Sequence, residues 1–403
     1  MPQAKAAFLP STLALLSLAH LVTDLSQGAL PALLPELQTA YQLTYAQVGF
    51  IVFMQNMASS VIQPLFGYLS DRLALPWLIP AGVIISGLGL ATLIFAGSYT
   101  SLLAAVTIGG IGIAAFHPQA SKAAHLTSSH GSKGHSMGIF SVGGNLGFAL
   151  GAIYITFLLH LPGGLDNIAW FGLPAFLLAP LLWLQLKKIV PATPVQSPSA
   201  PQKSQPRHKI PWGLLGVLLT YIFIRSSIHT GLTTYIPLYY VNFLAGSPFY
   251  ASNLLSVFFL SGVVGTYAGG RLSDKWGRKA IIMASMAATL PLVALLPHTG
   301  GIVTVILVGL IGFVMVSSFS TTIVMAQEAM PGHIGMASGL TIGFSIGLGG
   351  IGATLLGHIA DLYGIPAVFT LLALLPLAGL ACTFFLPGAI KRPKAVAASL
   401  SGD

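Results

Sequence analysis

Cysteine is almost missing from this chain: Cys382 is the only one in 403 residues. That excludes an intramolecular disulfide and a multi-cysteine metal site. Cys382 lies in an apolar run and reads as a small hydrophobe. Charge is also scarce. Asp, Glu, Lys and Arg together make up 6% of the sequence, against roughly a quarter in a soluble domain. So few charges cannot cover a water-facing surface, whereas hydrocarbon accepts a helix that is apolar all round. There is no glycine-rich phosphate loop ending in Gly-Lys-Ser/Thr and no His-Glu-x-x-His pair. The eight acidic residues are spread along the chain, so they offer no clustered ligands for a lipid-modifying enzyme. No cofactor, no metal and no enzymatic activity are expected. Repeated filter motifs and rings of charge, on which channels rely, are missing too.

What the chain has in quantity is apolar sequence, 55% of all residues. Stretches of about 20 residues, the length that crosses the hydrocarbon of a bilayer, recur throughout. They predict an all-α integral membrane protein with twelve transmembrane helices in two six-helix bundles. The first six spans are 11–35, 44–69, 77–97, 100–123, 136–160 and 167–186; the second six are 211–240, 249–272, 279–297, 300–326, 335–358 and 365–387. The runs are too long, and lack the alternation, for barrel strands. The first run is too long for a signal-peptide core and contains Asp24, so it is expected to be a retained helix. Residues 1–187 form the expected N-terminal bundle and 211–403 the C-terminal bundle with a short tail. Between them 188–210 is rich in Pro, Ser and Gln, as a flexible cytoplasmic linker would be.

The formal charge of +9 would suggest nucleic-acid binding in a soluble protein. Here it marks orientation, and no nucleic-acid partner is expected. With the N-terminus in the cytoplasm, 16 of the 17 Lys and Arg residues fall in inner loops, tails or helix ends. None falls in an outer loop, and the remaining one, Arg225, is inside a span. This bias supports both the span count and cytoplasmic termini.

The halves repeat each other at an offset of about 200 residues. Gly67-Tyr68-Leu69-Ser70-Asp71-Arg72 matches Gly270-Arg271-Leu272-Ser273-Asp274-Lys275, both at the turn from the second to the third helix of a half. Span five carries Gly134, Gly138, Gly143, Gly147 and Gly151; span eleven carries Gly335, Gly339, Gly343 and Gly347. Glycine at every fourth position lets another backbone approach closely. Two parallel repeats suit a transporter whose halves rock about a central site.

The stretch Gly270 to Lys275, continued by Trp276-Gly277-Arg278-Lys279, resembles the full signature loop of the major facilitator superfamily, G-x-L-x-D-R/K-x-G-R-R/K. The first copy keeps Gly67, Asp71 and Arg72, then departs at Leu73. A narrower resemblance is to the fosmidomycin resistance-type efflux proteins. It rests on Ser17 to Asp24, Gln63-Pro64-Leu65-Phe66-Gly67, Phe116-His117-Pro118, Phe140 to Gly147, and Ala326-Gln327-Glu328 followed by Pro331-Gly332-His333. The resemblance implies a proton-driven exporter of a small drug-like or anionic compound, monomeric, in the plasma membrane of a bacterium (the inner membrane). The residues themselves leave open an importer of a metabolite, and sodium in place of protons. Two departures prevent copying the coupling chemistry of better-known drug antiporters. Val142-Gly143-Gly144-Asn145 lacks the proline of their fifth-helix motif, and Ile108 to Ala115 lacks their fourth-helix arginine.

Intramembrane charge is costly and so is informative. Asp24 sits in span one with His20 one helical turn earlier. A carboxyl and an imidazole on one face can take up and release a proton, so these two are the candidate coupling residues; a structural ion pair is the alternative. Arg225 in span seven, with His229 a turn later, is a candidate for binding an anionic solute or pairing with Asp24. His117, Asn145, Gln55 and Asn56 complete the candidate substrate-cavity residues, each with a helix-to-helix hydrogen bond as its alternative. His117 precedes Pro118 and has a further alternative, capping the carbonyl that the proline frees. Polar residues from Ser317 to Thr322 carry the same ambiguity. Tyr235 and Tyr239 are expected to be interfacial anchors, and Asp361 to have no special role. Gly67, Asp71, Arg72, Gly270, Asp274, Lys275, Arg278 and Lys279 form a candidate conformational latch at the cytoplasmic surface, with Glu328 as a partner for Arg278. A topology reporter fused after Pro162 should read outside the cytoplasm; a cytoplasmic reading would overturn the orientation and the span count.

Overall fold

The computed structural model describes residues 9–73, 75–126, 133–189, 211–330 and 334–388. Among these, the regular structure is helical throughout, as backbone in hydrocarbon requires when no sheet closes on itself. The helices of the first half are α1 (Leu9–Tyr41), α2 (Tyr45–Val61), α3 (Gln63–Arg72), α4 (Leu78–Ala91), α5 (Tyr99–Leu126), α6 (Lys133–His160) and α7 (Leu173–Ile189). Those of the second are α8 (Trp212–Leu238), α9 (Pro248–Trp276), α10 (Arg278–Leu295), α11 (Gly301–Val316), α12 (Ser318–Ala329), α13 (Ile334–Tyr363) and α14 (Ile365–Phe384). They build twelve membrane-length rods. Eleven are long and apolar enough to cross a membrane; the other, α13, runs for 30 residues. The interdomain segment expected at 188–210 lies outside the described residues from 190 onward.

Several boundaries differ from the sequence expectation. The first helix reaches Tyr41 through Pro31 and Pro35. The second span is two helices, broken at Ile62 just before Pro64 takes the first turn of α3, because proline cannot continue the preceding ladder. The tenth is likewise two helices, α11 and α12, meeting at Ser317. The sixth begins as a 3-10 helix, Gly164–Gly172. Gly277 at φ 90 and Gly364 at φ 80 turn the chain between α9 and α10 and between α13 and α14. These left-handed positions admit glycine without strain.

α1 and α6 pack backbone against backbone. A Cβ at Gly143, Gly147 or Gly151 would overlap the backbone carbonyls of Ser17, Leu21 or Leu25, and one at Gly28 would overlap that of Phe148. The glycine stripe of span five is therefore a backbone-contact surface from Gly143 to Gly151, while Gly134 and Gly138 lie outside the residues whose side-chain surroundings are described. Gly335, Gly339 and Gly343 lie outside the residues whose side-chain surroundings are described. Farther along α13, Gly349 and Gly352 face Ser226 and Ser227 of α8, while Gly350 and Gly357 face α2.

The two sets of six helices meet at the end of the molecule away from the signature loops. Along α2 and α13 the contacts run from Tyr45 and Gly357 through Gly49 and Ala353 to Met57 and Gly347. Ser256 on α9 donates to the Ala149 carbonyl of α6 at 2.6 Å, and Thr156 meets Ser252. Asn242 donates to Gln38 Oε1 at 2.7 Å. Tyr235 is fully buried, donating at 2.6 Å to the Ala353 carbonyl, and Tyr239 packs on Phe369. The anchoring expected for these tyrosines is thus replaced by internal packing. Past this seam, Val61, Leu65 and Tyr68 carry the α2 stripe onward and are more than half exposed.

Asp361, expected to have no special role, closes the seam. Its carboxylate accepts from the backbone N–H groups of Tyr45 at 2.6 Å and Ala46 at 2.9 Å. Those groups belong to the first turn of α2, whose orphan donors and positive dipole end suit an anion. Thr44 and Gln47 complete the same turn as a capping box. Asp361→Ala should loosen this end. In a Cys382→Ser background, a cysteine at Ala353, fully buried in the native protein, should then label roughly tenfold faster with an impermeant maleimide. That ratio corresponds to the loss of about 1.4 kcal/mol. An unchanged labelling rate would show that Asp361 does not hold the ends together.

Candidate functional site

Asp24 lies near the middle of α1 and is 2% exposed. Three side chains meet its carboxylate. His20 Nε2 is 3.1 Å from Oδ2, His117 Nε2 is 3.3 Å from Oδ1, and Gln27 Nε2 donates to Oδ1 at 3.1 Å. The two histidine Nε2 atoms are 3.2 Å apart. On the far edge of each ring Nδ1 bonds a main-chain carbonyl, Phe140 O for His20 and Ile113 O for His117, both at 2.8 Å. A carbonyl only accepts, so each Nδ1 carries a proton, and each Nε2 faces Asp24 with a lone pair when its ring is neutral and with a second N–H when it is protonated.

The sequence builds this arrangement from three helices. His20 and Asp24 are one turn apart on α1, which places them on one face. The Phe140 ring of α6 stacks on His20 with centroids 4.2 Å apart. Gly144 lies directly over the pair, where a Cβ would stand 2.8 Å from Asp24 Oδ2 and overlap the His20 ring. His117 comes from α5, at an edge-on angle to His20. Expected as a substrate-cavity residue, His117 is also in direct contact with Asp24 and His20. Its ring bonds the Ile113 carbonyl, not the Ala114 carbonyl that Pro118 leaves free, so it does not serve as the proline's cap. His20 Nε2, His117 Nε2 and an Asp24 oxygen lie within 4.8 Å of one another, a donor set of the kinds that bind metal ions. Spacing along the chain could not show it, because it is assembled from α1 and α5.

Arg225 is 3% exposed on α8 and sets its guanidinium 5.1 Å from the centroid of the Phe319 ring on α12, a cation–π contact. The ion-pair partners of Asp24 among the described residues are the two histidines, so the expected Asp24–Arg225 pairing is not formed in this arrangement. His229, one turn from Arg225, packs on Phe258 at 5.3 Å. Gln55 is buried on α2, Asn56 beside it is half-buried, and Asn145 is exposed on α6. The polar run after Ser317 joins a buried network that sequence reasoning missed: Tyr221 donates to Ser318 Oγ at 3.1 Å, and Ser285 lies 3.2 Å from the same oxygen. Tyr221 gave no signal beyond being one polar tip in an apolar run.

At the loop end, Arg278 Nη1 bonds Asp274 Oδ1 at 2.5 Å and Ser273 Oγ at 2.6 Å. Its Nη2 lies 3.4 Å from Glu328 Oε1, the partner expected for it. One guanidinium thus ties the end of α9 and the start of α10 to α12. Lys279 donates to the carbonyls of Phe384 and Leu386 at the end of α14, a cation at a helix C-terminus. Gly270 faces Ser320 and Gly67 faces Pro118; Lys275 is exposed. The side chains of Asp71 and Arg72 lie outside the described residues.

Comparison with known proteins agrees with this architecture. The family model described as Major Facilitator Superfamily matches residues 16–351. The fosmidomycin resistance protein of Escherichia coli (strain K12) is 37% identical over 380 residues, 92% of this chain and 91% of that protein. The MFS-type transporter YfnC of Bacillus subtilis (strain 168) is 34% identical, over 93% of this chain and 92% of its own. Among solved structures, a mutant of the nucleoside transporter NupG superposes with a TM-score of 0.78 at 14% identity, covering 93% of this chain and 99% of that one. A bacterial homologue of the human lysosomal transporter Spinster superposes at 0.73 with 15% identity, covering 95% of both chains. At such identities these two structures speak for the fold alone. A family match across most of the sequence, a long relative above one-third identity and twelve membrane-length helices lead to one conclusion: this chain is a multi-pass membrane transporter and belongs to the Major Facilitator Superfamily.

Proposed function

We propose that the chain is a proton-coupled antiporter that exports a small drug-like or anionic compound by alternating access. The observation that carries this reading is the buried Asp24 carboxylate held between two imidazoles in mid-span. A titratable group at that depth is costly, and proton relays are a recurrent reason for its presence. Export is favoured by the likeness to the fosmidomycin resistance protein. In this reading Asp24 and His20 take up the proton, and residues 1–187 and 211–403 rock as two bodies joined by a cytoplasmic segment at 188–210. Arg225 and His229, with Gln55, Asn56 and Asn145, contribute polar contacts to the solute. The seam around Asp361 closes the outer side. The clusters around Gly67, Asp71 and Arg72, and around Gly270, Asp274, Lys275, Arg278, Lys279 and Glu328, engage and release at the inner surface.

Two measurements test this proposal. In proteoliposomes with an imposed pH gradient, wild type should move at least one member of a panel that includes phosphonates, and Asp24→Asn should abolish gradient-driven movement. Full gradient-driven transport by Asp24→Asn would remove that residue from coupling. Arg225→Lys should weaken binding of an anionic solute roughly tenfold or more, because an ammonium cannot reproduce the planar bidentate fork. Unchanged affinity would remove Arg225 from solute recognition.

A further inference from the structure

The side-chain atoms that converge at Asp24 are all acceptors once the histidines are neutral. Each Nδ1–H is committed to a main-chain carbonyl, Phe140 O or Ile113 O, so each Nε2 presents a lone pair, and the carboxylate presents only lone pairs. His20 Nε2 stands 3.1 Å from Oδ2, His117 Nε2 stands 3.3 Å from Oδ1, and the two Nε2 atoms are 3.2 Å apart. Lone pairs repel at that spacing unless a cation lies among them. Two protons, one on each ring, bridge the two histidine–carboxylate edges and leave the histidine–histidine edge with N–H facing N–H. One ion held among the two Nε2 atoms and the carboxylate satisfies all of these lone pairs together.

We propose that His20, Asp24 and His117 form a binding site for one divalent transition-metal ion, of the zinc or cobalt class. The spacing fits: the two Nε2 atoms are 3.2 Å apart, and one Asp24 oxygen lies within 4.8 Å of both. Tetrahedral coordination at zinc, with ligand distances of about 2.0–2.1 Å, separates neighbouring donors by about 3.3 Å. The chemistry fits as well: two imidazoles and one carboxylate suit zinc-like ions better than magnesium or calcium, which prefer oxygen. The outer contacts are those of a built site, since a metal-bound histidine ordinarily donates its other N–H to a carbonyl or carboxylate that fixes the ring. Gln27 does the corresponding service for Asp24 Oδ1. Gly144 leaves clear the space that a Cβ would take beside His20 Nε2 and Asp24 Oδ2. Three protein ligands leave a fourth position for water or a solute. The His117 side chain, 20% exposed against 4% for Asp24, marks the side from which an ion enters.

The assignment stands on this geometry and is independent of the direction and coupling of transport. One consequence rests on the proposed function: an ion held by these three side chains occupies the lone pairs that would receive the coupling proton, so zinc should block proton-driven transport reversibly.

The test uses full-length protein in detergent, stripped with a chelator and titrated with cobalt(II), whose visible absorption reports low-coordinate nitrogen–oxygen sites. Wild type should bind one equivalent with micromolar or tighter affinity, zinc should displace it, and zinc should raise the melting temperature. His117→Gln and His20→Gln should each weaken binding at least a hundredfold and lose the zinc-dependent rise in melting temperature. Melting of each variant without metal shows whether it is folded. Cobalt binding of equal strength in the folded variants would assign the ion to other histidines and overturn the proposal, as would wild-type affinity weaker than millimolar. Chelator-treated proteoliposomes separate the two readings: proton-driven transport there, without any metal binding by wild type, would sink the metal site and leave the antiporter intact.

Discussion

The approach of α1 to α6 is the constraint on which the rest of the site depends. Where glycines on α6 face main-chain carbonyls of α1, the two backbones come closer than any side chain would permit. That proximity lets the Phe140 carbonyl reach the His20 ring and holds Phe140 flat against it. With the ring fixed, its remaining nitrogen has one direction left, toward Asp24. A glycine stripe is usually read as packing between helices in lipid. Here the packing also sets the tautomer and aim of a titratable side chain, and α5 needs only to deliver His117 to complete the group.

Much of the architecture was legible in the sequence because hydrocarbon imposes rules that chain composition shows directly. A membrane span must be long and apolar, and the loops must sort their positive charge, so the twelve spans and the doubled signature loop stood out. The breaks at Ile62 and Ser317 were less visible. Pro64 hinted at the first, but a span interrupted and then resumed has the same composition as a continuous one. The tyrosines near the end of span seven misled for a related reason. Tyr235 has the amphipathic character of an interfacial anchor, yet α13 of its own half supplies the carbonyl partner that headgroups would otherwise supply.

The site divided along a similar line. The His20–Asp24 pair was readable, since residues one turn apart on a helix are neighbours whatever surrounds them. The joining of His117 was not, because nothing in local spacing says which face of α5 meets α1. Arg278 and Glu328 could be matched in advance because a doubled loop motif and a charge at a helix end narrow the possible partners. Asp361 could not be matched at all: its partners are backbone N–H groups, which every residue but proline carries.

That last feature bears on how the protein can vary. The carboxylate of Asp361 is held by the peptide groups of Tyr45 and Ala46, not by their side chains. Side chains at those two positions can drift through many residue types without touching the contact, provided neither becomes proline. The information for this one contact between the halves is therefore stored on one side only, in a single codon. Methods that find contacts by paired substitutions would see a solitary acidic position there, and this contact would be invisible to them.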